Sequence, residues 1–327
     1  DLAVVAEIAD KIVVMQNGQI VETAKTEVLL YNMKHPYTRA LFNASTHRVV
    51  MPDVITSGTL LSVDSVVRTY SLPRNGILGS RPNFNALDNV SFNISHGERV
   101  GLVGESGCGK STLTRAILGV EDVQSGWIKL DGEPVFSGKR PNIDVRRKMQ
   151  VVFQDPYSSF NPRHRVDRLI AEPLHVLENA PVGKLKDLAI LKALDDVGLM
   201  ASDAKKFIHE FSGGQRQRIA IARALIIEPE LIIFDEAVSA LDVSVRAQVL
   251  DLIAELCHKR PLAYLFISHD LSVVRTVTDR VMIMRAGKIV EHGETEKVFT
   301  NPQNAYTKTL IAAAPRLPEI TYAIEPV

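Results

Sequence analysis

The sequence has 327 residues, with 38 Lys and Arg against 38 Asp and Glu and 46% apolar side chains, ample for a core and for about two domain-sized units. Zero formal charge without a Lys/Arg block argues against a large nucleic-acid face, and no stretch approaches the ~18–20 unbroken apolar residues of a membrane span. Two cysteines, Cys108 and Cys257, cannot make a disulfide framework and suit a reducing compartment.

In chain order the first feature is an internal repeat. Asp1 to Leu41 aligns without gaps on Asp270 to Leu310, with about 16 identities in about 41 positions. Leu2-Ala3-Val4-Val5 meets Leu271-Ser272-Val273-Val274, Gly18 to Glu22 meets Gly287 to Glu291, and Tyr37-Thr38 meets Tyr306-Thr307. The repeat predicts the tail of one unit in residues 1–45, a mixed polar linker in 46–58, a complete second unit in 59–300 and an extension in 301–327. The chain thus reads as part of a tandem protein, an expectation with which the missing initiating Met agrees. Pro73 to Asn85, rich in Gly, Pro and Arg, predicts an exposed loop.

Arg99 to Val103 reads as a short buried strand and Lys110 to Leu118 as a helix closing before Gly119. Between them, Gly104-Glu105-Ser106-Gly107-Cys108-Gly109-Lys110-Ser111-Thr112 fits GxxxxGK[ST], a nucleotide phosphate cradle. Backbone N–H groups of such a loop point at the phosphates, helped by the positive end of the following helix. Glycines at 104, 107 and 109 let the main chain come close. Lys110 would reach the β- and γ-phosphates and the Ser111 hydroxyl would hold Mg²⁺. Cys108 fills a variable position of the motif.

Helical patterns follow at Val166 to Leu177 and Lys186 to Val197, within a helical segment at about 155–225. Phe211-Ser212-Gly213-Gly214-Gln215 opens a further helix running to Leu225. Leu231 to Glu236 is an apolar strand ending in two carboxylates: Asp235 on the metal side, and Glu236 placed to polarise the attacking water. Ser239-Ala240-Leu241-Asp242 comes next, then the apolar run Ala263 to Ile267 and Ser268-His269-Asp270, which puts His269 at a strand end.

Together these motifs resemble the nucleotide-binding subunit of ATP-binding cassette (ABC) transporters. The resemblance identifies Gly104 to Thr112 as the Walker A loop and Ser212, Gly213, Gly214 and Gln215 as the signature, with Phe211 where Leu is usual. Asp235-Glu236 closes Walker B, Asp242 lies in the D-loop, and His269 is the switch histidine. Gln154 becomes the Q-loop residue and a further Mg²⁺ ligand, and Tyr70 stands where the family places an aromatic ring against adenine. The implied fold is α/β: a P-loop cassette with a RecA-like parallel-sheet core, an antiparallel β subdomain and an inserted α-helical subdomain.

Gln154 to Arg163, Asp235 to Gln248 and His35-Pro36-Tyr37-Thr38 resemble the oligopeptide, dipeptide, glutathione and nickel import branch. That implies an ATPase that hydrolyses Mg²⁺-bound ATP to drive import of a peptide-like or related small solute, at the cytoplasmic face of the bacterial inner membrane. Implied partners are a second cassette, two integral membrane permease subunits and, indirectly, a periplasmic or extracellular solute-binding protein, without nucleic acid. Some members of the branch carry a cysteine-ligated iron–sulfur cluster in the C-terminal extension; with no Cys after Cys257, none is expected here. Export and soluble ABC ATPases share the catalytic motifs. The match at Gln154 to Arg163 favours import, and the short, barely charged 46–58 segment disfavours a translation-type protein. The solute stays open among peptides, glutathione, opines and nickel chelates.

Overall fold

In the computed structural model, which describes residues 2–54, 56–71, 82–138 and 140–315, the first copy of the repeat is a small α/β unit. It comprises α1 (Leu2–Ile8), β1 (Lys11–Gln16), β2 (Gln19–Lys25), α2 (Thr26–Tyr31) and α3 (Pro36–Ser45). Asn17 and Gly18 join β1 to β2 at φ of 52° and 78°, the two-residue turn whose twist suits paired strands. Leu29 and Phe42 are buried in a core of the unit's own.

Residues 46–54 run along the second unit. Val49 and Met51 pack against its main core, His47 Nε2 lies 2.7 Å from Asp251 Oδ1, and Arg99 donates to the Pro52 carbonyl at 2.7 Å. The chain then continues through β3 (Ser57–Ser71), β4 (Asn83–His96), β5 (Arg99–Val103), α4 (Lys110–Ile117) and β6 (Ser125–Leu130). Three two-residue strands, β7 (Glu133–Pro134), β8 (Phe136–Ser137) and β9 (Arg140–Pro141), lead to α5 (Ile143–Arg147) and β10 (Met149–Phe153). Helices α6 (Val166–Ile170), α7 (Lys184–Asp196) and α8 (Gly213–Leu225) precede β11 (Leu231–Asp235), α9 (Val243–Lys259) and β12 (Ala263–Ile267). The described part closes with α10 (Leu271–Val277), β13 (Arg280–Arg285), β14 (Lys288–Glu294), α11 (Thr295–Thr300) and α12 (Ala305–Ala312).

Two sheets organise this unit. One is four-stranded and antiparallel, in the order β4-β3-β6-β7; the other is six-stranded, in the order β10-β11-β12-β5-β13-β14, and parallel except for its last pair. This is the parallel core, antiparallel subdomain and helical insertion that the resemblance implies. Strands β5 and β12 are buried throughout because helices cover one face of the sheet and α4 with the antiparallel sheet covers the other, which is why they read as unbroken apolar runs. Phe234 and Tyr264 meet edge-to-face at 5.5 Å in the core.

The elements α10, β13, β14, α11 and α12 repeat α1, β1, β2, α2 and α3 in order. Even the irregularity recurs, falling between Val14 and Met15 in one hairpin and between Ile283 and Met284 in the other. The surroundings differ. β13 lies beside β5, which buries Met282 and Met284 fully. Among the described residues β1 pairs only with β2, leaving Val13 48% and Met15 56% exposed.

Three expectations meet the structure as follows. The predicted helix from Val166 to Leu177 is two pieces, α6 and a 3-10 turn over Glu172–Val176, because Pro173 has no N–H to continue the α-helical ladder. Of the predicted loop Pro73 to Asn85, residues 73–81 lie outside the described residues, and Asn83 to Asn85 are strand, paired with Ser71, Tyr70 and Thr69. Residues 316–327 of the extension also lie outside the described residues.

Candidate active site

β5 ends at Val103 and the chain turns through the glycine-rich loop into α4. Glycine is required at two points of this turn. A Cβ on Gly104 would sit 2.2 Å from the Met284 carbonyl oxygen, and one on Gly109, at φ 115°, would sit 2.2 Å from the Ala86 carbonyl oxygen. Gly287 N–H donates to the Cys108 carbonyl at 2.9 Å, so the β13–β14 turn buttresses the loop. Lys110 is buried, and its Nζ donates to the carbonyls of Gly104 at 2.7 Å and Glu105 at 2.9 Å. Ser106, Gly107 and Ser111 face solvent, while Thr112 is buried.

Strand register brings the other candidates to the same edge. Phe153 lies beside Asp235, Asp235 beside Ile267, and Ile267 beside Leu102. Gln154, Glu236, His269 and the glycine loop therefore all emerge from the C-terminal ends of four adjacent parallel strands, where open α/β sheets bind ligands. His269 Nδ1 is 3.5 Å from Glu236 Oε1. Glu236 has φ 52°, a left-handed conformation disfavoured for a non-glycine residue. Its own N–H donates to Ile267 and its carbonyl accepts from Ser239 Oγ, both at 2.9 Å, which holds that conformation. Burial, then the neighbouring Glu236 carboxylate, push the Asp235 carboxyl above the usual range, and Lys110 and Arg115 pull it back only in part. Asp235 has no ion pair among the described residues, and the hard oxygens of Asp235, Ser111 and Gln154 are the donor chemistry that Mg²⁺ takes.

Tyr70 lies apart from that edge, at the end of β3 in the antiparallel sheet. Its hydroxyl donates to Glu121 Oε1, and Arg68 covers its ring at 5.0 Å. Burial alone would raise the Glu121 carboxyl, but hydrogen bonds from Tyr70, Arg115 and Arg68 hold it below its usual range.

The signature residues start α8. Ser212 Oγ accepts from Gln215 N–H while Gln215 Oε1 accepts from Ser212 N–H, a reciprocal capping box. Gly214 packs so closely on α9 that a Cβ would lie 2.2 Å from Val245 Cγ1. Asp242 occupies the N-cap of α9 without a side-chain cap bond. Among the described residues no hydrogen bond joins Phe211 to Gln215 with the glycine loop. The chain thus brings Gln154, Asp235, Glu236 and His269 to the loop and leaves the signature separate.

Two contacts escaped the sequence reading. Arg246 Nη1 is 2.7 Å from Asp270 Oδ2, tying the start of α9 to the residue after His269. The Glu105 N–H donates to the Tyr306 hydroxyl at 3.3 Å, joining α12 to the glycine loop. A signal for the second exists in the repeat, since Tyr306 matches Tyr37.

Comparison with known proteins agrees with this geometry. Residues 87–239 match the ABC transporter family, and residues 21–50 and 290–325 each match the C-terminal region of oligopeptide/dipeptide transporters. The two latter stretches begin at Val21 and Val290, which the repeat aligns. The chain is 41% identical over 96% of its length to the glutathione import ATP-binding protein GsiA of Escherichia coli (strain K12), covering 55% of that protein. It is 43% identical over 95% of its length to the uncharacterized ABC transporter ATP-binding protein YejF of the same strain, covering 59% of it. The chain thus spans little more than half the length of these relatives. Among solved structures, cbiO1 from Clostridium perfringens, part of the ABC transporter complex cbiONQ, superposes with TM-score 0.64 at 26% identity, over 75% of this chain and 92% of that one. The ATP-binding cassette MJ0796, dimeric and bound to ADP and Pi, superposes with TM-score 0.62 at 26% identity, over 72% of this chain and 99% of that one. With its phosphate loop and paired carboxylates on one sheet edge, and with these relatives, the chain belongs to the ATP-binding cassette (ABC) transporter family.

Proposed function

We propose that residues 59–300 form a cassette that hydrolyses ATP and drives import of a peptide-like or related small solute. The observation that carries this reading is the convergence of Gln154, Asp235, Glu236 and His269 with the glycine loop along one edge of the parallel sheet. Loop N–H groups from Gly104 to Thr112 and the Lys110 ammonium bind the β- and γ-phosphates. Ser111, Asp235 and Gln154 would hold Mg²⁺, which supplies charge neutralisation on those phosphates. Glu236 orients the attacking water and accepts its proton, and His269, beside it, faces the developing charge on the γ-phosphate. Tyr70 stacks on the adenine.

Ser212, Gly213, Gly214 and Gln215 make no bond to the chain's own loop, so they complete the site of a partner cassette, which in turn completes this one. Residues 1–45 are the end of a second cassette, a reading supported by the repeated elements and by the repeated family match. Residues 301–327 are the transporter-type extension. No helix among the described residues is long and apolar enough to cross a membrane. The transport path then belongs to two permease subunits in the inner membrane, with this protein on their cytoplasmic face and a solute-binding protein delivering cargo.

The test is co-purification from the native host in ATP, using the full-length protein carrying Glu236→Gln. Two polytopic membrane proteins in the eluate are expected; ribosomes or nucleic acid without membrane proteins would refute the importer reading.

A further inference from the structure

We infer that Tyr306, on the C-terminal helix α12, is a positioning residue for the phosphate loop, so that the extension presets the nucleotide site. The inference rests on the reading of Gly104 to Thr112 as an ATP cradle. Tyr306 is buried, with Arg285 over its ring at 4.6 Å, and its hydroxyl accepts from the Glu105 N–H at 3.3 Å. Lys110 Nζ is held on the carbonyls of Gly104 and Glu105. The phenol and the ammonium therefore hold opposite sides of the same short segment, at the point where β5 becomes loop. Gly104 lies close against β13, where an added Cβ would sit 2.2 Å from the Met284 carbonyl oxygen. With β13 on one side and Tyr306 on the other, Glu105 fixes where Lys110 rests before phosphate arrives.

The first copy of the repeat holds a matching tyrosine. Tyr37 occupies the matching place at the start of α3, packed against the small core of its own unit. Its neighbouring hairpin turn, at Gly18, has nothing within 4 Å of a would-be Cβ, whereas the matching Gly287 lies against Ala86 and donates to the phosphate loop. Among the described residues Tyr306 bonds to the phosphate loop, whereas Tyr37 packs on the core of its own unit.

Tyr306→Phe removes the hydroxyl and keeps the ring. Loss of one neutral hydrogen bond that orders the loop predicts Mg-ATP affinity about 3- to 10-fold weaker. Turnover at saturating ATP stays within about twofold, because the groups on the γ-phosphate are intact once the loop is filled. The melting temperature holds within about 2 °C, and Tyr37→Phe changes none of these values. The measurements are calorimetric titration with Mg-ATP, steady-state ATPase rates and thermal melts on the chain of residues 1–327. Equal affinities for wild type and Tyr306→Phe would overturn the role of the hydroxyl. So would a matching loss in Tyr37→Phe, or a fall in kcat with affinity unchanged. Absence of ATP binding by the wild type would overturn the cradle reading together with this one, whereas wild-type binding with no Tyr306→Phe effect overturns only the tyrosine.

Discussion

Lys110→Met tests the phosphate loop most directly, because it keeps the apolar stem and removes only the ammonium. In the structure that ammonium is buried and donates to the carbonyls of Gly104 and Glu105. Binding ATP exchanges these two neutral acceptors for phosphate oxygens. Both existing bonds already have a charged donor, so exchanging the neutral acceptor for an ionised one adds about 0.5–2 kcal/mol per bond. Two such exchanges give a net of about 1–4 kcal/mol, and a central figure of about 2.5 kcal/mol corresponds to affinity about 70-fold weaker. The carbonyls freed in the variant lie at a loop that water reaches through exposed Ser106 and Gly107, so the fold persists. Calorimetric titration with Mg-ATP reads the affinity, and circular dichroism checks the fold. Affinity within about threefold of wild type, in a folded variant, would refute the assignment of Lys110 to the phosphates.

Two further outcomes follow from the paired carboxylates. Glu236→Gln retains ATP, loses turnover by about 100-fold or more and accumulates ATP-bound dimers, which sedimentation velocity detects; a variant still monomeric at saturating ATP contradicts the shared-site reading. The raised Asp235 carboxyl means that its charged form is disfavoured in the fold. Its contribution to stability is therefore fully present below the unfolded carboxylate range and is lost as pH rises through the raised folded value. Asp235→Asn escapes that loss. Its melting temperature should match wild type below about pH 3, exceed it as pH rises past the unfolded value of about 3.9 and level off above the raised folded value, while a difference constant with pH would rule out Asp235 as the source.

The sequence revealed strands β5 and β12 to the residue and β11 to within one, at Glu236, because strands covered on both faces must be continuously apolar. The glycine loop was equally legible, since its chemistry lies in adjacent residues. What sequence could not give was distance. That His269 and Glu236 stand 3.5 Å apart depends on the β11–β12 register, and the bond between Glu105 and Tyr306 joins residues on separate elements far apart in sequence. Asn83 to Asn85 read as loop because their composition favours turns, yet pairing with the end of β3 overrides that preference. The break at Pro173 was visible in the sequence, but the apolar pattern continues through it.

Arg99, the first residue of β5, grips both Asp279 and the Pro52 carbonyl, and the last residue of β5 opens onto the phosphate loop. The segment between the two units is therefore moored to the far end of the strand that carries the nucleotide chemistry, about 13 Å away along its rise of roughly 3.3 Å per residue. A tether fixed there raises the effective concentration of whatever precedes it. It does so from the end of β5 opposite the glycine loop, so under the proposed shared site the linkage and the approach of another cassette make no competing demand on the same surface.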